Sequence, residues 1–220
     1  MTLALGAGSV TPLQMVTAYS VFANGGYRVK PYFIERILDA RGKLLAQAQP
    51  TRVGTPAAEQ AIDPRNAFIM TSMMQDVVRQ GTGARAMQLG RHDLAGKTGT
   101  TSESVDAWFC GFNPGLVAVA WIGFDHPRSM GGAETGAQAA LPIWMGYMAK
   151  ALQGVPERQR PMPDKIVVVN INPATGVRVS QGGIPEYFYE ENPPGDTPTV
   201  LGGGEGAGAK ASEEVKDQLF

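Results

Sequence analysis

The sequence predicts an α/β protein of the α+β type, a mainly antiparallel sheet flanked by helices. Three observations carry that prediction. A capping residue followed by proline, the start signal of a helix, occurs at Thr11-Pro12 and at Asp63-Pro64, and Pro142 opens a third helical pattern. Two strand-like runs are separated only by the turn Asn113-Pro114-Gly115, a connection too short for parallel neighbours. The order reads helix, two strands, helix, three strands, helix, and then a small appendix, with 43% hydrophobic residues in 220 to build a core.

The first helix begins at a capping box, Thr11 with Gln14 three residues on. Met15, Val16, Tyr19, Phe22 and Ala23 form its apolar face, and Asn24-Gly25-Gly26 stops it. With no other lobe to cover it, the Met15/Tyr19/Phe22 stripe is expected to stand exposed. Tyr32 to Leu38 and Leu44-Leu45 read as a hairpin about the Arg41-Gly42 turn, with the glycine at positive φ. Residues 49–62 read as irregular. The second helix starts at Asp63-Pro64, carries Met70, Met74, Val77 and Val78 on one stripe, and ends at Arg79 to Gly81. Gly81 to Gly90 reads as a loop.

Lys97 to Thr101 places β-branched residues around a glycine, which suits a strand end. Val105 to Phe112 follows as a strand with Trp108, Cys110 and Phe112 on one face. Leu116 to Phe124 is nearly all apolar, so its strand is expected to be covered on both faces. After the Gly131–Gly136 loop, the third helix puts Trp144, Tyr147, Met148, Ala151 and Leu152 on its stripe. Three parts are expected: a main domain over 1–154, a linker and small β extension over 155–189, and a tail over 190–220. Within the extension, Lys165–Asn172 and Val177–Ser180 read as a hairpin around Pro173-Ala174-Thr175-Gly176. Nine of the eighteen residues from Pro193 to Lys210 are Gly or Pro, and that segment is expected to be disordered.

Composition narrows the function classes. Lys+Arg 19 against Asp+Glu 20 leaves a net charge of −1, with no basic stripe for nucleic acid. One cysteine excludes a disulfide framework and a four-cysteine metal site, and the two histidines, His92 and His126, are too isolated for zinc. No cofactor or metal is expected. No apolar run reaches the ~18 residues of a membrane span, and Met1 to Gly6 has no basic segment of a signal peptide. The 28 Gly and 16 Pro, together one residue in five, exceed average usage but stay below the ~25–30% of a low-complexity chain.

The sharpest local signal is Gly96-Lys97-Thr98-Gly99-Thr100-Thr101. It is not a phosphate-binding loop: five residues separate Gly90 from Gly96 where that motif has four, and no helix follows. As Lys-Thr-Gly on a strand it suits a substrate carboxylate. Lysine supplies positive charge, threonine hydroxyls donate, glycine allows close approach, and a strand N–H can serve an oxyanion.

KTGTTSESVDAWFCGF (Lys97–Phe112) resembles the class A, bifunctional penicillin-binding proteins, the peptidoglycan synthases. So do Gly6 to Tyr27, Leu116 to Asp125 with the Gly131–Gly136 loop, and Ala140-Leu141-Pro142-Ile143-Trp144, in the family's order. The resemblance implies part of a serine β-lactamase/transpeptidase-like fold, the C-terminal half of a transpeptidase domain. It implies that Lys97, Thr98, Gly99 and Thr100 bind substrate, with the Thr100 N–H in the oxyanion hole. The implied partners are peptidoglycan stem peptides ending in D-Ala-D-Ala and, for the parent, β-lactams. It implies a parent in the inner membrane facing the periplasm, with a glycosyltransferase domain elsewhere.

The chain departs from the family's pattern in one respect. Of Ser9, Ser20, Ser72, Ser102, Ser104, Ser129, Ser180 and Ser212, none has Lys three residues on and none has Asn two residues on. The nucleophile of S-x-x-K and the S-x-N motif are therefore expected outside these residues, and the chain alone is expected to be inert. A non-catalytic module that binds peptide or a partner in the same groove is the alternative. Cys110 reads as a buried, inert thiol, Trp108 as core, and Glu103 and Asp106 as solvated strand-end charges.

Overall fold

Helix α1 (Pro12–Ala23) starts as its capping box dictates. The Thr11 hydroxyl accepts from the Gln14 N–H at 3.2 Å, and the Gln14 side chain accepts from the Thr11 N–H at 2.8 Å. The helix stops at Asn24, followed by Gly25 and Gly26 at positive φ. These positions belong to a computed structural model that describes residues 8–56 and 58–196. Of the expected disordered tail, residues 197–220 lie outside the described residues, as do Gly6 and Ala7 of the first family-like block.

Next come β1 (Tyr27–Arg28), then β2 (Arg36–Leu38) and β3 (Leu44–Gln47), which pair antiparallel as the predicted hairpin. Residues 49–62 are not wholly irregular. β4 (Glu59–Gln60) returns to pair with β1, a two-residue ladder too short to leave a sequence pattern. Helix α2 (Pro64–Arg79) begins at Asp63, whose carboxylate accepts from the Arg65 N–H at 2.8 Å. That bond is the main reason the Asp63 carboxyl sits below its ordinary value. Met74 and Val78 are buried on the predicted stripe. The expected loop over 81–90 contains a 3-10 helix, Ala84–Leu89, because Ala86 is drawn fully into the core.

The sheet that organises the main unit is three-stranded: β5 (Ala95–Thr100), β6 (Asp106–Asn113) and β7 (Leu116–Gly123), in that spatial order. Both pairs are antiparallel with unbroken register, including Lys97↔Cys110, Gly99↔Trp108 and Phe109↔Ala120. Alternation sends β6 side chains to two faces. One face carries Phe109 and packs on Trp144, Leu141, Met148, Val78 and Leu94. The other carries Phe112, beside Ala95, and packs on Ala23, Met74, Tyr19 and Phe22. The Met15/Tyr19/Phe22 stripe is therefore not exposed as expected: all three residues are half-buried, and Tyr19 and Phe22 pack on the Phe112 cluster. β7 is only partly covered, against the expectation from its apolar run: Val117 packs toward the α1 side and Ala118 and Ala120 toward the other, but Trp121 is exposed.

Thr135 caps a π-helical turn, Gly136–Ala140, which runs into α3 (Leu141–Ala151), so the helical segment starts before Pro142. Its buried line is Leu141, Trp144, Met148 and Leu152. Tyr147 is 54% exposed and Ala151 is exposed, against the broader predicted stripe. Only one narrow line of the helix fits against the sheet. Trp144 fits because its neighbour lacks a side chain. A Cβ on Gly111 would stand 2.6 Å from the Trp144 ring. The buried indole N–H is satisfied by the carbonyls of Ala118 (3.1 Å) and Gly111 (3.3 Å).

The chain forms two compact units, Met1–Asp164 and Lys165–Phe220. In the second, β8 (Ile166–Ile171) pairs antiparallel with β9 (Ile184–Tyr189). The predicted partner, Val177–Ser180, makes only a bridge, Ile171↔Arg178. The strand missed is β9, whose Pro185 and Glu186 weaken a strand reading, although an edge position tolerates both.

Candidate functional site

The Lys-Thr-Gly sequence lies in β5, the open edge of the three-stranded sheet. The ladder fixes which backbone groups face outward. The Thr101 N–H donates to the Asp106 carbonyl at 3.1 Å, so positions 101, 99 and 97 bond toward β6. Alternation then turns the N–H and C=O of Thr98 and Thr100 off the open edge. The side chains divide the other way. Lys97 and Gly99 share the face of Cys110 and Trp108, while Thr98 and Thr100 share the face of Phe109 and Ala107.

Each side chain has a defined partner. Lys97 is exposed and folds over the edge, its ammonium donating to the Thr98 carbonyl at 3.0 Å. The Thr98 and Thr82 hydroxyls lie 2.7 Å apart in a shared hydrogen bond. The Thr100 hydroxyl accepts from the Gly136 N–H at 3.0 Å. Gly136 can lie there only as glycine. A Cβ would run into the Trp108 carbonyl and stand 2.6 Å from that of Gly99. Glycine at 99 keeps the opposite face flat, where a Cβ would stand 3.3 Å from Trp108 Cβ.

The start of β5 is anchored by a buried ion pair. Asp93 is 2% exposed and takes two bonds from the Arg91 guanidinium, at 2.9 and 2.7 Å. The Asn113 amide and the Arg158 N–H each donate to it at 3.2 Å. Burial alone would raise the Asp93 carboxyl; Arg91, Arg158 and Asn113 outweigh it and hold the carboxyl below its ordinary value. Arg91 also donates to the Val155 carbonyl at 2.7 Å, and Glu157 accepts from the His92 N–H at 3.1 Å. Arg160 donates to the Ala23 carbonyl at 2.6 Å. Residues 155–160 are thus strapped against the main unit, and the strap meets the residues that lead into β5.

The structure brings Lys97, Thr98, Gly99 and Thr100 to one open edge. Sequence reasoning missed Thr82 and Gly136, which hold the two threonine hydroxyls; G-T-G at 81–83 and the glycine loop at 131–136 were the available signals. Cys110 is 2% exposed, and burial pushes its thiol up to about 12, so it stays protonated. Trp108 is not core: it is half-buried and stacks on Trp121. Asp106 is not a free strand-end charge, since it accepts from the Trp121 indole at 2.8 Å. No group of three or more His, Cys, Asp or Glu among the described residues could hold a metal ion. No helix among them is long and apolar enough to cross a membrane.

An antiparallel sheet with Lys-Thr-Gly on its open edge, and a helix packed on each face, is the arrangement expected of the C-terminal half of a transpeptidase domain. The penicillin binding protein transpeptidase domain matches residues 1–142, and the chain belongs to that family. It is 48% identical over 217 residues to penicillin-binding protein 1A of Neisseria lactamica, covering 99% of this chain and 25% of that protein. It is 54% identical over 170 residues to penicillin-binding protein 1A of Neisseria gonorrhoeae, covering 77% and 21%. A crystal structure of penicillin-binding protein 1A from Haemophilus influenzae superposes with a TM-score of 0.82 at 38% identity, covering 89% of this chain and 34% of the other. PonA1 of Mycobacterium tuberculosis gives a TM-score of 0.61 at 27% identity, covering 73% and 43%. The chain spans about a quarter of the length of the Neisseria relatives.

Proposed function

We propose that this chain supplies the carboxylate-binding and oxyanion-binding wall of a D-alanyl-D-alanine transpeptidase that cross-links peptidoglycan stem peptides. The open edge of β5 carries the reading, with the Thr98 and Thr100 backbone groups turned outward beside the Lys97 ammonium. A peptide ending in D-Ala-D-Ala adds to that edge as an extended strand. Its carboxylate accepts from the Lys97 ammonium and the hydroxyls of Thr98 and Thr100. A serine oxygen from outside these 220 residues adds to the penultimate D-Ala carbonyl, and its proton passes to a lysine base. The Thr100 N–H donates to the oxyanion that forms. Collapse breaks the peptide bond, and the terminal D-Ala amine leaves with the proton. An acceptor amine then attacks the acyl-serine, which forms the cross-link and frees the serine. β-Lactams acylate the same serine in the parent, which works on the periplasmic side of the inner membrane.

Two measurements test this. Fluorescent penicillin followed by denaturing electrophoresis should leave the 220-residue chain unlabelled; a labelled band would show a nucleophile among its own serines. N-acetyl-D-Ala-D-Ala should shift the backbone amides of Lys97 to Thr101 in a nuclear magnetic resonance titration, and more weakly in the Lys97→Ala variant. Shifts confined to other segments would remove the edge from the reading.

A further inference from the structure

Behind Gly99 the sheet carries a second cluster that carboxylate binding does not use. Trp108 is the cross-strand partner of Gly99, and Trp121 is the partner of Trp108. Direct partners share a face, so both indoles lie on the face that carries Lys97. Their rings are 5.9 Å apart and tilted by 41°. Trp121 donates its Nε1–H to Asp106 Oδ1 at 2.8 Å. Across from Asp106, β7 carries Gly123, where a Cβ would stand 2.6 Å from the Trp121 ring and 3.0 Å from Asp106 Oδ1. Ring and carboxylate are thus packed over bare backbone and held together. They are also accessible: Trp121 is 37% exposed, and Trp108 and Asp106 are half-buried.

The chemistry of this cluster selects a cation. An indole face attracts an ammonium through its quadrupole, and tryptophan does so best. One indole N–H occupies a single accepting site on Asp106, whereas a carboxylate has about four. The charges along the face are ordered. Lys97 stands on one side of Gly99, and Asp106, opposite Thr101, stands on the other, four positions or ~13 Å along the strand. The missing side chain of Gly99 leaves a gap between the open edge and Trp108.

We propose that Trp108, Trp121 and Asp106 form a subsite for a primary ammonium on an aliphatic stem, carried by the amine strand that the transpeptidase joins to the acyl group. The proposal rests on the transpeptidase reading, because that chemistry brings an amine-bearing strand to the β5 edge; the ammonium held here is protonated and is not the amine that attacks the acyl-serine. The amine-bearing side chain passes over Gly99 and lays its methylenes on Trp108. Its ammonium reaches the Trp108/Trp121 faces and Asp106. Lys97 repels it at the other end and sets its direction.

The test is a titration of the 220-residue chain with n-butylammonium and, separately, with the neutral N-butylacetamide, followed through the indole N–H resonances. The ammonium should shift Trp108 and Trp121 and bind about tenfold more tightly than the amide. Asp106→Asn should reduce that preference to the smaller part that the indole faces supply. No indole shift with ammonium, or equal shifts with both probes, would overturn the proposal without recourse to any variant. The N-acetyl-D-Ala-D-Ala titration separates the two readings. If that peptide shifts Lys97 to Thr101 while the ammonium leaves the indoles unmoved, the edge reading stands and the amine subsite falls.

Discussion

The β5–β7 sheet and the β2–β3 hairpin are both antiparallel and both closed by short turns, yet different forces hold them. In the sheet, Phe109 and Phe112 are buried on opposite faces of one strand, and a helix covers each face. In the hairpin every strand residue is exposed, with Ile37 at 46% and Leu45 at 61%. Its order comes from the turn. The Asp39 carboxylate accepts from the N–H groups of Arg41 and Lys43 at 2.8 and 2.9 Å, and Gly42 takes φ +80°. A strand pair can therefore be specified by a turn alone, but a two-stranded pair without a covered face is only marginally stable. Placement of the Lys-Thr-Gly edge needs the buried kind.

The sharpest way to break this contrast is Trp144→Ala. It empties the centre of the covered face and should cost about 3–5 kcal/mol in denaturant unfolding. A loss below 1 kcal/mol would show that the sheet does not depend on that cover. Asp93→Ala comes next, since it strands the Arg91 guanidinium and should cost about 3 kcal/mol. The same site predicts a pH dependence. The folded carboxyl lies below its ordinary value, so its contribution is complete above the ordinary carboxylate range and is lost as pH falls through the depressed value. Stability measured from pH 7 to pH 2 should show this acid limb, and Asp93→Asn should flatten it.

Thr11→Ala removes the capping box of α1 and should cost about 1 kcal/mol, read from the same unfolding curves. The smallest effect belongs to the hairpin. Leu45→Ser should change stability by less than about 0.5 kcal/mol, because an already exposed side chain loses little burial. A loss comparable to that of Trp144→Ala would mean that the hairpin is covered in solution.

Sequence reasoning succeeded where the signal is local. Thr11-Pro12 and Asp63-Pro64 cap helices because a capping bond spans only two or three residues. The Lys97–Thr101 strand and the turn at Asn113-Pro114-Gly115 were readable for the same reason. It failed where the partner is distant. β4 finds β1 some thirty residues away, and β8 pairs with β9 past a nearer candidate. Trp108, read as core, is half-exposed because Gly99, its cross-strand partner, has no side chain to cover it. Asp106, read as solvated, is held by Trp121 fifteen residues on.

By itself, the sequence determined the helix starts, the antiparallel class, the Lys-Thr-Gly motif and the family that motif points to. All of these rest on residue types at short spacings, where propensity and hydrogen-bond reach decide. The tertiary structure alone decided that β5 is an open edge, that Thr82 and Gly136 hold its threonine hydroxyls, and that an aromatic-carboxylate cluster lies behind Gly99. Those facts depend on register and on close backbone approach between distant segments, which no short spacing encodes.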